Sequence, residues 1–271
     1  MKKTIGFIGA GNMGGAIIKG IVNKKTAEAG SITVYDKNTD TLSKLKAELG
    51  IKPAESVSEA CRADILFLAV KPNVIYSVID EIKNYIDKHN TVIVSIAAGQ
   101  SIERLTNAFK CDTIKLVRVM PNTPALVGEG MTAVSLNKIM QSEENREDAA
   151  YIISLFEGLG RAEVVPEGLM DTVTGVSGSS PAYIFMLIEA MADAAVLGGM
   201  PRNQAYTFAA QSVLGSAKMV LEMGKHPGEL KDMVCSPAGT TIEAVKALEN
   251  NGFRGAVIDA IDACIKKSAS M

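Results

Sequence analysis

The chain has 271 residues, of which 47% are hydrophobic and 21% are charged, and its net charge is −2. This composition excludes a disordered chain and is typical of a globular protein. Because no basic block is present, the charge does not indicate nucleic acid or an anionic membrane as a partner. The first predicted strand follows Met1-Lys-Lys3 directly, which leaves no room for a signal peptide, so we expect a cytoplasmic protein.

Residues that could bind a metal are scattered through the sequence. The four cysteines show no C-x-x-C spacing, and only two histidines accompany them. These residues are Cys61, Cys111, Cys235, Cys264, His89 and His226. Because zinc ligands recur at short and regular spacings, we predict no metal site and four reduced cysteines.

The first motif joins a strand to a helix. Ile5 to Ile8 form an apolar run, Gly9-Ala-Gly-Asn-Met-Gly14 follows, and apolar residues from Ala16 to Val22 show helical spacing. In G-x-G-x-x-G, the glycines permit a tight turn, the approach of a pyrophosphate and close helix packing. The motif predicts dinucleotide binding at a helix N-terminus, with a ligand-free tight turn as the alternative. The candidate cofactor contacts are Ile8, Gly9, Gly11, Asn12, Met13 and Gly14.

Strands and helices alternate from the motif to about residue 165. We predict further strands at 31–36, 65–70, 91–96, 114–119, 131–135 and 162–165, and helices at 41–49, 73–85, 101–109 and 143–159. The alternation is typical of a doubly wound parallel sheet with right-handed crossovers. We therefore predict an α/β fold with a dinucleotide-binding domain over residues 1–165.

The remaining residues, 166–271, show only helical patterns, at 181–197, 202–223, 240–249 and 253–267. The apolar run from Pro181 to Met200 is long enough to span a bilayer. Glu189 and Asp193, however, share one helix face within it, and each would cost about 2.5–3.5 kcal/mol at membrane depth. We therefore expect an all-α C-terminal domain that forms a homodimer through its apolar helices, with no membrane partner.

Asp36 closes the second predicted strand, where an acidic side chain can accept hydrogen bonds from the adenosine ribose. Such a carboxylate favours NAD, whereas the adjacent Lys37 could hold the 2′-phosphate of NADP. Use of both cofactors is therefore open, and so is the interpretation of Asp36 as an ordinary turn residue.

Two loops lie where open α/β sheets bind ligands, at the carboxyl ends of predicted strands. The first is Ala69-Val70-Lys71-Pro72, whose alternative is a helix entry with a solvated lysine. The second is Met120-Pro-Asn-Thr-Pro124, in which we expect Asn122 to line the nicotinamide pocket rather than only to turn the chain.

Two polar stretches of the second half carry candidate substrate contacts. In Gly175-Val-Ser-Gly-Ser-Ser-Pro-Ala-Tyr183, an N-cap at Ser180 and Pro181 at the first helical position would account for two residues, while Ser177 is a candidate pocket residue. In Ser236-Pro-Ala-Gly-Thr-Thr241, Thr240 with Glu243 forms a predicted capping box. The preceding turn would offer backbone N–H groups to a small carboxylate. Since no nucleophile elbow and no histidine-based triad is present, hydride transfer fits better than hydrolysis.

Together these motifs resemble pyrroline-5-carboxylate reductases. The resemblance rests on Phe7-Ile-Gly-Ala-Gly-Asn-Met-Gly14, Ala69-Val-Lys-Pro72, Met120-Pro-Asn-Thr-Pro124, the stretch 175–183 and Asp232-Met-Val-Cys-Ser-Pro-Ala-Gly-Thr-Thr241. It implies reduction of 1-pyrroline-5-carboxylate to L-proline with NADPH or NADH. It also implies an N-terminal Rossmann-type domain, and a helical domain that pairs with a second subunit, often within rings of dimers.

By this resemblance, Thr241 is the catalytic residue, whose hydroxyl hydrogen-bonds the substrate's ring nitrogen. Ser236, Gly239 and Thr240 form the carboxylate cradle. The chain departs from the family's pattern in having the acidic Asp36, and in having Ala238 where many members have a glycine.

Two other functions are alternatives to this one. The first is a β-hydroxyacid-type dehydrogenase, which would need a lysine acid/base, and only Lys218 or Lys231 could serve. The second is a non-catalytic dinucleotide sensor, which would need no substrate cradle.

Overall fold

A computed structural model describes residues 3–271. By its internal contacts the chain forms two compact units. The first contains the residues up to Ser179 together with Cys264–Met271, and the second contains Ser180–Ala263. The division into functional domains at residues 165 and 166 stays a prediction.

The first unit is built on one eight-stranded sheet in the order β3-β2-β1-β4-β5-β6-β7-β8. The strands are β1 Ile5–Ile8, β2 Ile32–Tyr35, β3 Lys52–Pro53, β4 Ile65–Leu68, β5 Val92–Ser95, β6 Lys115–Met120, β7 Gly130–Leu136 and β8 Gly160–Val164. Ile8 pairs with Tyr35 on one side and with Leu68 on the other. The carboxyl ends of β1, β2 and β4 therefore lie level at one edge, where the glycine motif begins.

The sheet is parallel except between β6 and β7, which pair antiparallel. The predicted parallel sheet is therefore confirmed apart from this one pair of strands. Residues 121–129 connect the two strands, and such a segment is too short for a parallel crossover, which takes a dozen residues or more. The two-residue β3 at the other edge was not predicted, because a strand this short leaves no periodic signal.

Hydrophobic cores lie on both faces of the sheet. Every residue of β1, β4 and β5 is buried, as expected of central parallel strands covered by helices on both sides. On one face, Phe7 stacks on Phe67 with ring centroids 4.4 Å apart. Residues such as Leu68 and Ile79 form the core of the opposite face.

The helices of the first unit are α1 Asn12–Asn23, α2 Thr39–Leu49, α3 Val57–Ala60, α4 Ile75–Ile82, α5 Ile102–Phe109, α6 Arg146–Glu157 and α7 Met170–Val173. Local chemistry sets several boundaries. The Asn38 side chain caps α2 by accepting from two backbone N–H groups, and Gly50 ends that helix in the left-handed conformation. Ser101 caps α5 in the same way as Asn38.

The second unit is helical, as predicted. Its helices are α8 Ser180–Leu197, α9 Arg202–Met223, α10 Pro227–Val234 and α11 Thr240–Asn250, and α12 Phe253–Ala269 ends in the tail of the first unit. The eight-residue α10 was not predicted. Its start is formed by the His226 cap and by Pro227 at the first helical position.

The second unit buries little apolar surface of its own. Its hydrophobic core consists of Ala192, Ala205 and Ala209, with a few partly buried neighbours on α8 and α9. Many large apolar side chains are exposed instead, including Phe185, Leu197, Phe208 and Ile258. An exposed apolar surface of this kind is typical of a subunit interface.

Candidate active site

The glycine loop, defined here as Gly9–Gly14, follows the end of β1. Gly9 has a φ of +98°, and a Cβ there would overlap the carbonyl of Ala69. A Cβ on Gly14 would overlap the carbonyl of Gly9. The tight turn and the close approach of helix to strand, both predicted from the sequence, are therefore present.

Gly11 is glycine for a different reason. It is exposed, and a Cβ placed on it would meet no protein atom within 4 Å. It is also the N-cap of α1, and no side chain among residues 3–271 caps this helix. The first N–H groups of α1, including those of Asn12 and Met13, are therefore without helical partners. An open glycine next to uncapped amides fits a phosphate group at the helix start.

A cavity of about 390 Å³ borders this loop. Its lining includes Ala10, Gly11, Asn12, Thr41 and Lys44. A larger cavity of about 790 Å³ lies elsewhere in the first unit, beside β7, β8 and α5, and does not touch the glycine loop. Because phosphate binding depends on the free amides of the loop, the smaller cavity is the better candidate for the cofactor.

Asp36 is tied to the glycine loop. One carboxylate oxygen accepts from the N–H of Ala10 at 2.6 Å, and the other accepts from the N–H of Asn38 at 2.8 Å. The side chain therefore braces the turn after β2, as the structural alternative expected, and it also reaches the loop that would bind the dinucleotide. Lys37, beside it, is exposed.

The other predicted cofactor loop lies next to the glycine loop. The Ala69 N–H donates to the carbonyl of Ile8 at 2.9 Å, which places the end of β4 beside the end of β1. Ala69 and Val70 are partly exposed and Lys71 is exposed. Pro72 begins a short 3-10 helix ahead of α4. The loop thus lies at the ligand-binding edge of the sheet, and contact with a cofactor stays a prediction.

Asn122 joins three segments of the first unit. Its side-chain oxygen accepts from the Met131 N–H at 2.9 Å, and its side-chain nitrogen donates to the Ser177 carbonyl at 3.0 Å. The residue is 8% exposed. Both ends of the amide therefore hold backbone. This bracing role was not expected, and a contact of Asn122 with nicotinamide stays a prediction.

The Ser177 carbonyl needs this donor because of Pro181. Pro181 stands four residues later, where an α-helix would supply an N–H to that carbonyl, and proline has none. The helix is also locally widened, since Thr174–Gly178 forms a π-helical turn. π-Turns inside helices are frequent at functional sites.

The boundary between the two units falls within the stretch 175–183, between Ser179 and Ser180, and nearly all of this stretch is helical. Within Glu167–Leu197 only Ser179 lies outside a helical turn, and Ser180 is the first residue of α8, so Ser180 does not act as its N-cap. The hydroxyl of Ser177 donates to the carbonyl of Val173 at 3.1 Å, and Ser179 accepts from Cys264 at 3.3 Å. These contacts give both serines a structural role, and the pocket role of Ser177 stays a prediction.

The predicted substrate cradle lies between α10 and α11. Thr240 is the first residue of α11 and Gly239 is its N-cap, so the capping box is not formed. A Cβ on Gly239 would overlap the Ser236 hydroxyl, which explains the glycine. No side chain within residues 3–271 caps α11, which leaves its first N–H groups available to an anion. The loop turns through Ala238, which has a φ of +56°.

One polar cluster was missed by the sequence analysis. The buried Arg118 of β6 lies 3.2 Å from the Glu167 carboxylate and 4.0 Å from that of Asp171. Glu167 also accepts from the N–H of Ile102, and Asp171 accepts from the Ser268 hydroxyl at 2.7 Å. An arginine in the buried middle of β6, between Val117 and Val119, was the available signal. The described residues contain no group of side chains that could hold a metal ion.

Comparisons with known proteins agree with this arrangement. Residues 167–271 match a family model described as pyrroline-5-carboxylate reductase dimerisation, and residues 4–99 match one described as NADP oxidoreductase, coenzyme F420-dependent. The pyrroline-5-carboxylate reductase of Escherichia coli (strain K12) is 53% identical over 100% of this chain and 99% of its own length. The pyrroline-5-carboxylate reductase of Methanosarcina acetivorans is 46% identical over 99% of this chain and 98% of its own length.

Solved structures give the same result. The Plasmodium falciparum pyrroline carboxylate reductase with NADP bound superposes with a TM-score of 0.88 at 32% identity, over 100% of this chain and 98% of that one. A pyrroline-5-carboxylate reductase from Coxiella burnetii gives 0.89 at 30% identity, also over 100% and 98%. The chain therefore belongs to the pyrroline-5-carboxylate reductase family, the NADPH- or NADH-dependent oxidoreductases that reduce 1-pyrroline-5-carboxylate to L-proline in the last step of proline biosynthesis.

Proposed function

We propose that, in this reaction, the loop 236–241 binds the substrate carboxylate and the glycine loop binds the dinucleotide. The observation that carries the assignment is the start of α11, where Gly239 caps the helix without any side-chain acceptor. Ser236 and Thr240 are exposed around this start. Uncapped amides and hydroxyls together form a suitable cradle for a small carboxylate.

Thr241 is proposed to act on the ring nitrogen. The substrate is a cyclic imine, so a hydride adds to its C5 carbon, the C=N π electrons pass to nitrogen, and nitrogen carries a proton in the product. The Thr241 hydroxyl can hydrogen-bond that nitrogen and so orient the ring. The bound dinucleotide supplies the hydride. No strong general base is required, which agrees with a loop made of hydroxyls and amides.

The lysines that a hydroxyacid dehydrogenase would need are poorly suited to proton transfer. Lys218 is exposed and lies 3.5 Å from the carboxylate of Glu222. A hydrogen bond that Lys231 donates to Asp232, together with the charge of that carboxylate, raises the pKa of Lys231 above its ordinary value. A lysine with a raised pKa stays protonated at neutral pH and is a weak base. A dinucleotide sensor, in turn, would have no use for the 236–241 loop.

The test is a steady-state assay with purified protein. The protein should oxidise NADPH or NADH only after 1-pyrroline-5-carboxylate is added. Thr241→Ala should lower turnover at least tenfold, whereas Thr241→Ser keeps the hydroxyl and should retain most of it. Thr207→Ala removes a hydroxyl from the exposed face of α9 and serves as the matched control. Normal turnover of Thr241→Ala would remove Thr241 from the mechanism.

We also propose that the active form is a homodimer, which could assemble further into a ring of dimers. The exposed apolar residues of the second unit support this, because Leu197 is 90% exposed and Phe208 is 65% exposed in the single chain. The match of residues 167–271 to a dimerisation family model supports it as well. Sedimentation at micromolar concentration should give a dimer or a multiple of it, and a monomer would contradict the proposal.

The protein is further proposed to be cytoplasmic, with no membrane or nucleic-acid partner. One helix of the described residues, Glu167–Leu197, is long and apolar enough to cross a membrane by length and composition. Asp193 lies within it and pairs with Arg202, and both side chains are about half exposed. A charged Asp193 within this helix is costly in lipid and is compatible with a protein interface. Recovery of active protein from a cell lysate without detergent would support this localisation.

A further inference from the structure

We propose that Asp36 makes this chain select NAD(H) over NADP(H). The inference rests on the proposed binding of the dinucleotide at the glycine loop. It concerns the choice between the two cofactors that the family uses.

The first argument is the position of the carboxylate. Asp36 directly follows β2. The backbone carbonyl of Tyr35, the last residue of β2, accepts from the Gly9 N–H at 2.8 Å, so the end of β2 lies against the glycine loop. In dinucleotide-binding folds, an acidic residue at this point faces the hydroxyls of the adenosine ribose. Asp36 is only partly exposed, yet it is directed at the loop, since it accepts from Ala10 at 2.6 Å.

The second argument is that the carboxylate is held in place from both sides. One oxygen is bound by Ala10 and the other by the Asn38 N–H at 2.8 Å. A carboxylate oxygen has two lone pairs, so each still has capacity for a ribose hydroxyl. Because rotation of the side chain would break both bonds to the backbone, the charge cannot easily move away from a 2′-phosphate.

The third argument is that the amides able to hold a 2′-phosphate are already occupied. The N-terminus of α2 is the nearest helix start, but the Asn38 side chain accepts from the N–H groups of Asp40 at 3.0 Å and of Thr41 at 3.2 Å. Lys37 is the cation next to Asp36, and its exposed side chain is a weak counterweight in water.

Isothermal titration with NAD⁺ and NADP⁺ tests the proposal on the full chain without turnover. At about 0.1 M salt we expect NAD⁺ to bind at least tenfold more tightly than NADP⁺. The ratio of the NADP⁺ to the NAD⁺ dissociation constant should fall at about 1 M salt. The Debye length drops there from about 10 Å to about 3 Å, which screens the repulsion between Asp36 and the 2′-phosphate. A ratio that does not change with salt would contradict a charge effect.

Variants separate the charge from the brace. Asp36→Asn keeps an oxygen that can accept from Ala10 but removes the charge, so it should tighten NADP⁺ binding and bring the ratio below about threefold. Asp40→Asn makes the same charge change on the exposed side of α2 and should alter the ratio by less than twofold. Equal or tighter binding of NADP⁺ by the unmodified chain, or an unchanged ratio in Asp36→Asn, would overturn the inference alone. Failure of both dinucleotides to bind would overturn the proposed cofactor site with it.

Discussion

Asn122 bridges the Ser177 carbonyl and the Met131 N–H, and the missing N–H of Pro181 accounts for the need of that carbonyl for a donor. The energy of this link can be measured. Asn122→Ala leaves the Ser177 carbonyl and the Met131 N–H without their partners, at donor–acceptor distances of 3.0 and 2.9 Å in the native chain. A partly buried polar group that loses its partner costs about 1–3 kcal/mol. We therefore expect Asn122→Ala to lower the free energy of unfolding by about 2–3 kcal/mol.

The cause is tested by a double-mutant cycle with Pro181→Ala. An alanine at 181 restores an N–H that can donate to the Ser177 carbonyl, so the carbonyl no longer depends on Asn122. The double variant should then be more stable than the sum of the single changes predicts, by about 1 kcal/mol. Pro227→Ala is the control, since Pro227 is the first residue of α10, where no helical N–H is needed.

The measurement is urea unfolding followed by far-UV circular dichroism, because the chain has no tryptophan. All variants are compared at one protein concentration, since the stability of a dimer depends on concentration. If Asn122→Ala and Pro181→Ala are additive within about 0.3 kcal/mol, the carbonyl does not link them and the explanation is wrong.

Three further outcomes are expected. Ala238→Gly should raise the free energy of unfolding by about 0.5–1 kcal/mol, because glycine adopts a φ of +56° without strain. Ala244→Gly, in the middle of α11, should lower the free energy of unfolding by about 1 kcal/mol. Stability changes of the same sign in the two variants would contradict this explanation. Burial alone would raise the pKa of Asp64, but hydrogen bonds from Thr4 outweigh burial and lower it. The ionised carboxylate therefore stabilises the fold at pH values above its unfolded pKa of about 4. This stabilisation is lost as the pH falls through the lower pKa of the folded state. Asp64→Asn should accordingly lower the urea midpoint at pH 7, and its difference from the unmodified chain should shrink as the pH falls through the folded pKa of Asp64. Burial, and then the charge of Glu81, raise the pKa of Cys61 to about 12. A thiol reagent at pH 8 should therefore label Cys61 only after denaturation. Fast labelling of Cys61 in the native chain would contradict this prediction.

Strong local signals made the first half of the fold predictable. The tight turn at Gly9 and the close helix approach at Gly14 were predicted correctly, because both depend on neighbours in sequence or in the adjacent strand. The continuous apolar runs of β4 and β5 could belong only to strands covered on both faces. The reaction was assigned through the 236–241 loop, whose residues are contiguous in the chain.

What the sequence could not show depends on distant contacts. Pro181 normally marks a helix start, but here the helix continues through it because Asn122, far away in the chain, satisfies the freed carbonyl. Thr240 and Glu243 fit a capping box by spacing, yet the chain turns one residue earlier, at Gly239. Arg118 finds its partners only through the fold. For Pro181 and Arg118, a partner remote in sequence decided the outcome, whereas at Gly239 the deciding contact is the nearby Ser236.

The return of the chain to its first unit has a practical consequence. The residues from Cys264 onward pack with the first unit, where Ser268 binds Asp171 and a side chain on Gly99 would collide with Met271. In topological terms the helical segment Ser180–Ala263 is an insertion, entered and left by the same module. A C-terminal affinity tag therefore extends from the nucleotide-binding module, and an expression vector that stops at residue 179 would omit part of it.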